Sequence, residues 1–231
     1  MEPGPGRTAV QQVIAAMSAD PPSVHRNAPS GVWSAAGDCL QFLAEHVTPE
    51  TRSLETGCGA STVVFAATGA EHTAVFLIES EGEGVREWCA RHDVSTEHVT
   101  FSPGSSTEVL PRLDPGDLDL VMIDGCHGFP FPQVDWYYAA AHLRDGGILV
   151  VDDTQLAAPY ELKRYLDHDP RWEQLHVGSQ WVAYRRRGSG SLDEEWTSQP
   201  FYQPLGVRVQ TVKRRARGSL GRLKRKVLAR D

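Results

Sequence analysis

Long hydrophobic runs are absent from this 231-residue sequence, and none approaches the roughly 18 apolar residues that a membrane-spanning helix needs. The N-terminal stretch MEPGPGRTAV also lacks the apolar core of a secretory signal peptide, so we expect a cytoplasmic protein. Cysteine is scarce, with four residues and no CxxC spacing, which argues against a disulfide framework and against a zinc site. We therefore expect reduced thiols, most of them buried.

Charge is distributed unevenly within the net −7 of the chain. Residues 206–231 carry a net charge of +9, whereas the preceding residues carry −16. Within 207–230, apolar residues recur at helical spacing between basic residues, which suggests peripheral contact with an anionic membrane. The alternatives are non-specific attraction of nucleic acid, docking on the acidic body of the same chain, and a mobile solubilising tail. No sequence-specific nucleic-acid recognition is expected, and the oligomeric state has no signature in the sequence.

Strands and helices alternate from residue 49 onwards, after helical patterns near Thr8–Ala19 and over about 32–47. The expected strands include TAVFLIES (73–80) and ILVVDD (148–153), and RDGG (144–147) is expected to end the helix before the latter. This alternation predicts an α/β fold, namely a Rossmann-like, doubly wound sheet that is mostly parallel. Two further strand patterns, separated by Gly178-Ser179-Gln180, predict an antiparallel hairpin at its C-terminal edge and make the sheet seven-stranded. The predicted organisation is a helical extension (1–48), a ligand-binding domain (49–187), and a linker with the basic tail (188–231).

The stretch SLETGCGAST resembles a nucleotide-binding turn that lacks one glycine. Gly57 and Gly59 form the first part of a dinucleotide fingerprint, but Thr62 stands where the third glycine is expected. Glu79, 22 residues after Gly57, has about the spacing of a carboxylate that binds both hydroxyls of a ribose. A ribose site without a pyrophosphate turn favours a nucleoside such as S-adenosylmethionine (SAM) over NAD.

Five segments in order resemble the class I SAM-dependent methyltransferases over about residues 50–185: LETGCGAST, VFLIES, GSSTEVLPRL, DLDLVMIDG and GGILVVDDT. Within this class the chain is most similar to small metal-dependent O-methyltransferases of the catechol and caffeoyl-CoA type, and to cephalosporin-hydroxylase-like relatives. The resemblance implies that Ser106 lies near the adenine. The expected cofactor-binding residues are Glu55, Gly57, Gly59, Ser61, Thr62, Glu79, Ser106 and Asp124.

The resemblance also implies a metal site made of Asp124, Asp152 and Asp153, because the strands that they follow are neighbours in this fold. Three carboxylates at one sheet edge repel one another, and a divalent cation removes that penalty. Oxygen ligands suit Mg²⁺, Mn²⁺ or Ca²⁺. The similar families have Asp-Asn or Glu-Asp where this chain has Asp152-Asp153. An alternative for Asp124 or Asp153 is a capping role in the adjoining loop or helix.

His127 stands three residues after Asp124, where the catechol-type enzymes carry a lysine general base. An unperturbed imidazole has a pKa near 6.5, which suits proton abstraction around neutral pH. We therefore expect His127 and Asp124 to be the catalytic residues. Two alternatives stay open for His127: a further metal ligand, and a loop histidine bonded to a backbone carbonyl.

These patterns predict methyl transfer from SAM to a hydroxyl group of a small molecule, such as a secondary metabolite, a phenol or a sugar. One alternative is a metal-dependent enzyme of the hydroxylase-like kind on the same fold. Another is a non-catalytic protein that binds SAM or docks on membranes. An NAD-dependent oxidoreductase is disfavoured by Thr62.

Overall fold

The computed structural model describes residues 5–24, 34–188 and 192, and a seven-stranded sheet forms the centre of this part of the chain. Its strands are β1 (Arg52–Thr56), β2 (Glu71–Phe76), β3 (Val99–Pro103), β4 (Leu118–Ile123), β5 (Leu143–Val151), β6 (Trp172–Val177) and β7 (Val182–Arg186). The α-helices are α1 (Pro5–Ala19), α2 (Gly37–His46), α3 (Ala60–Thr68), α4 (Glu79–Arg91), α5 (Ser106–Val109), α6 (Phe131–Ala139) and α7 (Ala157–Leu166).

The strand order β3-β2-β1-β4-β5-β7-β6 confirms the predicted fold class. Strands β1 to β5 pair in parallel, and β7 runs antiparallel between β5 and β6 as the predicted hairpin requires. The chain moves outward from β1 to β3 and then returns to place β4 on the other side of β1. Ligands of open α/β sheets bind at this reversal, beyond the carboxyl ends of the strands.

Two hydrophobic layers cover the sheet. Side chains of α1 to α4 pack with Ala74, Phe76 and Met122 on one face. The helices α6 and α7 pack with Leu54, Val75 and Val121 on the other. Adjacent residues of one strand therefore pack into opposite layers, because successive side chains of a strand point to opposite faces. Burial on both faces explains why the strands are continuous apolar runs in the sequence.

The N-terminal segment after α1 is fixed against α4. The indole Nε1 of Trp88 donates a hydrogen bond to the carbonyl of Asp20 at 2.6 Å. A Cβ on Gly84 would lie 2.3 Å from the carbonyl oxygen of Ser23, so the two segments approach too closely for any larger residue. The division at residues 48 and 187 stays a prediction, and the predicted linker and basic tail lie outside the described residues, apart from Gly188 and Leu192.

Three predicted element boundaries were wrong. The helix expected over 32–47 begins at Gly37, because Ala36 has extended backbone angles and residues 34–36 are not helical. Strand β2 ends at Phe76 instead of continuing through Glu79, which is the first residue of α4. Strand β5 begins at Leu143, five residues before the predicted start at Ile148. The register between β4 and β5 shifts between Leu118 and Leu120, and this irregularity accommodates the RDGG stretch within the strand.

In the part of the chain that is described, no helix has the length and apolar character needed to cross a membrane. All four cysteines are free thiols, and three of them are buried as expected, whereas Cys126 is exposed.

Candidate active site

The glycine turn after β1 is pressed against the end of β4. Gly57 has φ +105° and donates its N–H to the carbonyl of Val75 at 2.8 Å. A Cβ at Gly57 would lie 2.4 Å from the carbonyl oxygen of Asp124, so only glycine fits there. A Cβ at Gly59 would meet nothing within 4 Å, which leaves open space over the turn. The first glycine is needed for packing, and the second faces room for a ligand.

Thr62, at the third-glycine position, stabilises the turn through hydrogen bonds of its buried hydroxyl. Its hydroxyl accepts a hydrogen bond from the N–H of Gly59 at 2.9 Å and donates one to the carboxylate of Glu55. The hydroxyl of Ser61 donates to the other oxygen of Glu55 at 2.6 Å. Glu55 is 0% exposed and both hydroxyls are buried, so these three predicted cofactor residues are engaged with one another beneath the turn. Direct contact of their side chains with a cofactor stays a prediction.

His72 belongs to the same buried network and was missed from the sequence. Its Nε2 lies 3.1 Å from an oxygen of Glu55, and its Nδ1 lies 2.8 Å from the hydroxyl of Ser53. The ring stacks on Phe65 with a centroid distance of 4.0 Å. A signal existed, because Ser53 and His72 are register partners on adjacent strands and two polar residues at core-facing positions are expected to bond to each other.

Glu79 and Ser106 lie at the sheet edge where the glycine turn lies. Glu79 is exposed and follows β2 by way of the exposed Leu77 and Ile78. Ser106 is half-buried at the start of α5, just beyond β3, whose end is tied to β2 by a bond of 2.7 Å from the Gly104 N–H to the Phe76 carbonyl. Both positions are compatible with the predicted ribose and adenine contacts, which stay predictions.

A cluster of three side chains lies at the ends of β4 and β5. Asp124, His127 and Asp153 each offer one ligand atom, and these atoms all lie within 4.8 Å of one another. The Nε2 of His127 lies 3.0 Å from Oδ2 of Asp153. Asp152 is not part of this cluster: it is 2% exposed, and its Oδ1 accepts the N–H of Asp153 at 2.8 Å. The imidazole of His127 is therefore the third member of the cluster, where the sequence predicted the carboxylate of Asp152.

Asp153 is held firmly in this cluster. It has φ 52°, in the left-handed region that few residues other than glycine enter. Its Oδ1 accepts hydrogen bonds from the side-chain amides of Gln155 at 2.6 Å and Gln180 at 3.3 Å. The loop after β5 and the hairpin turn before β7 therefore fix this carboxylate together, with its second oxygen directed at His127.

The overall architecture is similar to solved structures of methyltransferases. The cofactor-bound protein Rv0187 from MTB is 20% identical, with a TM-score of 0.56 over 80% of this chain and 91% of that chain. The O-methyltransferase TomG from Streptomyces achromogenes, in complex with SAM, is 17% identical with a TM-score of 0.56 and coverages of 81% and 92%. The SAH-bound methyltransferase PaMTH1 of Podospora anserina is 17% identical with a TM-score of 0.54 and coverages of 78% and 88%. At this identity the likeness establishes the fold.

A family comparison decides the class. Residues 54–154, from β1 to just beyond β5, match the family described as a methyltransferase domain. These residues form a methyltransferase domain, and they contain all five segments that resemble the class I SAM-dependent methyltransferases. The resemblance inferred from the five sequence segments is thereby confirmed. No curated protein sequence is significantly similar to the chain.

Burial and mutual repulsion destabilise the ionised carboxylates of this methyltransferase. Burial, followed by the charges of Asp152 and Glu55, raises the pKa of Asp124 well above its usual range. Burial raises the pKa of Asp152 to about 6. The opposite holds for Asp153, whose pKa is lowered first by its hydrogen bond with His127. A cation placed among these groups would relieve the penalty on Asp124 and Asp152.

We expect the stability of the metal-free methyltransferase to decrease as the pH rises from about 4 through about 6. A raised native pKa means that the folded state binds the proton of Asp152 more tightly than the unfolded state, so ionisation favours unfolding. The loss reaches up to about 3 kcal/mol, from about 1.4 kcal/mol per pKa unit. Urea denaturation in EDTA across this pH range measures it. Asp152→Asn, which keeps the acceptor for the Asp153 N–H, should flatten the profile; an unchanged slope would contradict this assignment.

Proposed function

We propose that the protein transfers the methyl group of SAM to a hydroxyl group of a small molecule, with a divalent cation held by Asp124 and Asp153 and with His127 as general base. One observation carries the proposal: Asp124, His127 and Asp153 converge within 4.8 Å, and the backbone of Asp124 touches the glycine turn at Gly57. The acceptor-activating groups and the expected methyl donor site are thereby neighbours.

The donor set suits a divalent cation. The carboxylates of Asp124 and Asp153 are oxygen ligands of the kind that Mg²⁺ and Mn²⁺ prefer, and this leaves the imidazole of His127 for proton transfer. The raised pKa of Asp124 supports the same conclusion, because its charge is otherwise uncompensated. When bound there, a cation would supply Lewis-acid polarisation that lowers the pKa of an acceptor hydroxyl.

His127 would then take the acceptor proton. Its Nε2 faces Asp153, so in the tautomer with hydrogen on Nε2 the ring donates to Asp153 and keeps the lone pair of Nδ1. The hydroxyl proton moves to this lone pair, the acceptor oxygen forms a bond to the methyl carbon, and the carbon–sulfur bond breaks to leave S-adenosylhomocysteine. Asp153 fixes the ring and stabilises the imidazolium that results.

Exposed apolar side chains border these groups and support an acceptor with a hydrophobic body. Phe129 is 78% exposed, two residues beyond His127, and Leu156 is 40% exposed, three residues beyond Asp153. The first turns of α6 and α7 are adjacent, because the amide of Gln133 donates to the carbonyl of Ala158 at 2.8 Å. Among the predicted acceptors, a phenol fits this border better than a sugar.

The experiment is a methyl-transfer assay with isotope-labelled SAM over a panel of catechols, sugars and polyketides, with Mg²⁺, with Mn²⁺ and in EDTA. We expect His127→Gln to lower kcat by about 10²- to 10⁴-fold, the usual contribution of a general base, while binding of S-adenosylhomocysteine is unchanged. His98→Gln is the matched control, because His98 is exposed and lies just before β3, at the opposite end of the sheet.

Two results would count against the proposal. Full turnover in EDTA would remove the cation from the reaction. Binding of S-adenosylhomocysteine without transfer to any acceptor would favour the second candidate, a metal-dependent enzyme of another reaction class on the same fold. The specific observation behind that candidate is the imidazole in the cluster, since a set of histidine and carboxylate ligands also suits redox-active iron.

A further inference from the structure

Asp135 is a buried carboxylate to which the reaction above gives no part. It lies on α6, it is 0% exposed, and neither of its oxygens has a hydrogen-bond partner among the described residues. The hydroxyl of Thr56, the last residue of β1, is likewise buried and without a partner. A buried polar group left unsatisfied costs about 1–3 kcal/mol, and a charged one costs more, so two together require an explanation.

The two unsatisfied groups lie beside the same point of the backbone. A Cβ placed on Gly125 would be 3.1 Å from Oδ2 of Asp135 and 3.1 Å from the hydroxyl oxygen of Thr56. Gly125 directly follows Asp124, and Thr56 directly precedes Gly57. Asp135 therefore lies beneath the place where the glycine turn meets the end of β4.

A third loop reaches the same place. Burial raises the pKa of Asp135, and the hydroxyls of Ser106 and Thr56 lie near enough to oppose that rise. Neither hydroxyl meets Asp135 in normal hydrogen-bond geometry. Ser106 begins α5 and is the residue expected beside the adenine. The carboxyl group of Asp135 thus faces three segments that are expected to surround one cofactor.

Packing alone gives no reason for an acid at this position. The neighbouring Trp136 and Ala139 of α6 belong to the hydrophobic layer, and an apolar residue of similar size would avoid the cost of desolvation. Costly groups that persist at loop junctions are typical of sites where stability has been given up for function.

We propose that Asp135 is a positioning residue of the cofactor site, which orders Thr56 and Ser106 so that the glycine turn and the start of α5 fit the adenosine part of SAM. The three groups are close but not bonded to one another. Bound adenosine completes their hydrogen bonds by drawing the turn and α5 together over Asp135. The inference rests on SAM binding, which is part of the proposed function, and not on the acceptor or on the cation.

Calorimetric titration of the full-length protein with S-adenosylhomocysteine, together with thermal unfolding, tests this role. Asp135→Leu should raise the Kd at least 10-fold while the melting temperature of the ligand-free protein stays the same or rises. Asp135→Asn, which keeps an acceptor oxygen, should stay within about threefold of the wild type in Kd. A purely structural role predicts instead that Kd and melting temperature change together.

Thr56→Val and Ser106→Ala provide a second measurement should Asp135→Leu not fold. Each should raise the Kd, and Thr56→Val should add little once Asp135 is already leucine, because coupled residues are not additive. Wild-type Kd in Asp135→Leu, or in both hydroxyl variants, would overturn the positioning role while leaving the proposed function intact. Failure of the wild-type protein to bind S-adenosylhomocysteine would overturn both.

Discussion

Replacing Glu55 with alanine should lower the free energy of unfolding by about 3–5 kcal/mol and abolish binding of S-adenosylhomocysteine. The carboxylate is fully buried and receives hydrogen bonds from the hydroxyls of Ser61 and Thr62, and it also lies within hydrogen-bond distance of His72. Its removal leaves these buried groups without their acceptor and releases the hydroxyl that braces the N–H of Gly59. The stability and the shape of the glycine turn therefore change together.

Chemical denaturation with and without S-adenosylhomocysteine measures both effects. Glu71→Ala is the matched control, since Glu71 is exposed on the adjacent strand and makes an ion pair with Arg52 at 3.1 Å. Such surface pairs contribute at most about 1 kcal/mol. The stability of Glu55→Gln should lie between those of Glu55→Ala and the wild type. The NH₂ group of the glutamine amide would replace an oxygen that accepts a hydrogen bond, so one buried donor would face another donor. A fully stable Glu55→Ala protein would mean that the network does not hold the turn.

The two glycines of the turn should differ in their response to replacement by alanine. Gly57→Ala should destabilise the ligand-free fold by about 3–5 kcal/mol, because it combines an unfavourable positive φ with a Cβ placed against the Asp124 carbonyl. A Cβ at Gly59 meets no atom within 4 Å, and the φ of −171° is open to any residue, so the cost of Gly59→Ala is about 1 kcal/mol from weaker capping of α3.

Ligand affinity separates these variants further. If the cofactor lies over Gly59, a methyl group there should weaken binding of S-adenosylhomocysteine at least 10-fold while the ligand-free protein stays folded. Thermal unfolding and calorimetry of both variants give the comparison. Unchanged affinity in Gly59→Ala would place the cofactor elsewhere along the sheet edge.

The architecture could be predicted from the sequence because its signals are local. Alternating strand and helix patterns, together with the Gly178-Ser179-Gln180 turn, were enough for the sheet and its antiparallel edge. The predicted element boundaries were wrong where strand pairing, or the start of a helix, outweighed the local preference of the residues. Leu77 and Ile78 look like strand residues, yet they are exposed, and the chain turns into α4 at Glu79. The Gly-Gly pair at 146–147 looks like a loop but lies within β5.

The nearness of the acidic residues was predictable from the sequence, but their arrangement was not. Asp124 and the Asp152-Asp153 pair were expected at one sheet edge because parallel strands end together, and Asp124 and Asp153 do lie close together there, while the metal site stays a prediction. Which of two consecutive aspartates faces the cluster depends on backbone angles that sequence patterns do not specify. The inward-facing His72 and Asp135 were given no function from sequence, since their meaning comes from contacts with residues on other elements, such as Glu55 for His72 and Thr56 and Gly125 for Asp135.

The left-handed backbone at Asp153 limits how this centre could be altered by mutation. Asparagine and aspartate tolerate that conformation, whereas glutamate or a β-branched residue would have to distort the turn. Changing the net charge of the cluster without moving the chain therefore leaves two substitutions at this position, Asp to Asn, which keeps an oxygen ligand, and Asp to Gly, which removes it. A library aimed at new ion preferences would gain more from varying His127, whose backbone is not in the left-handed region, than from varying the residue at 153.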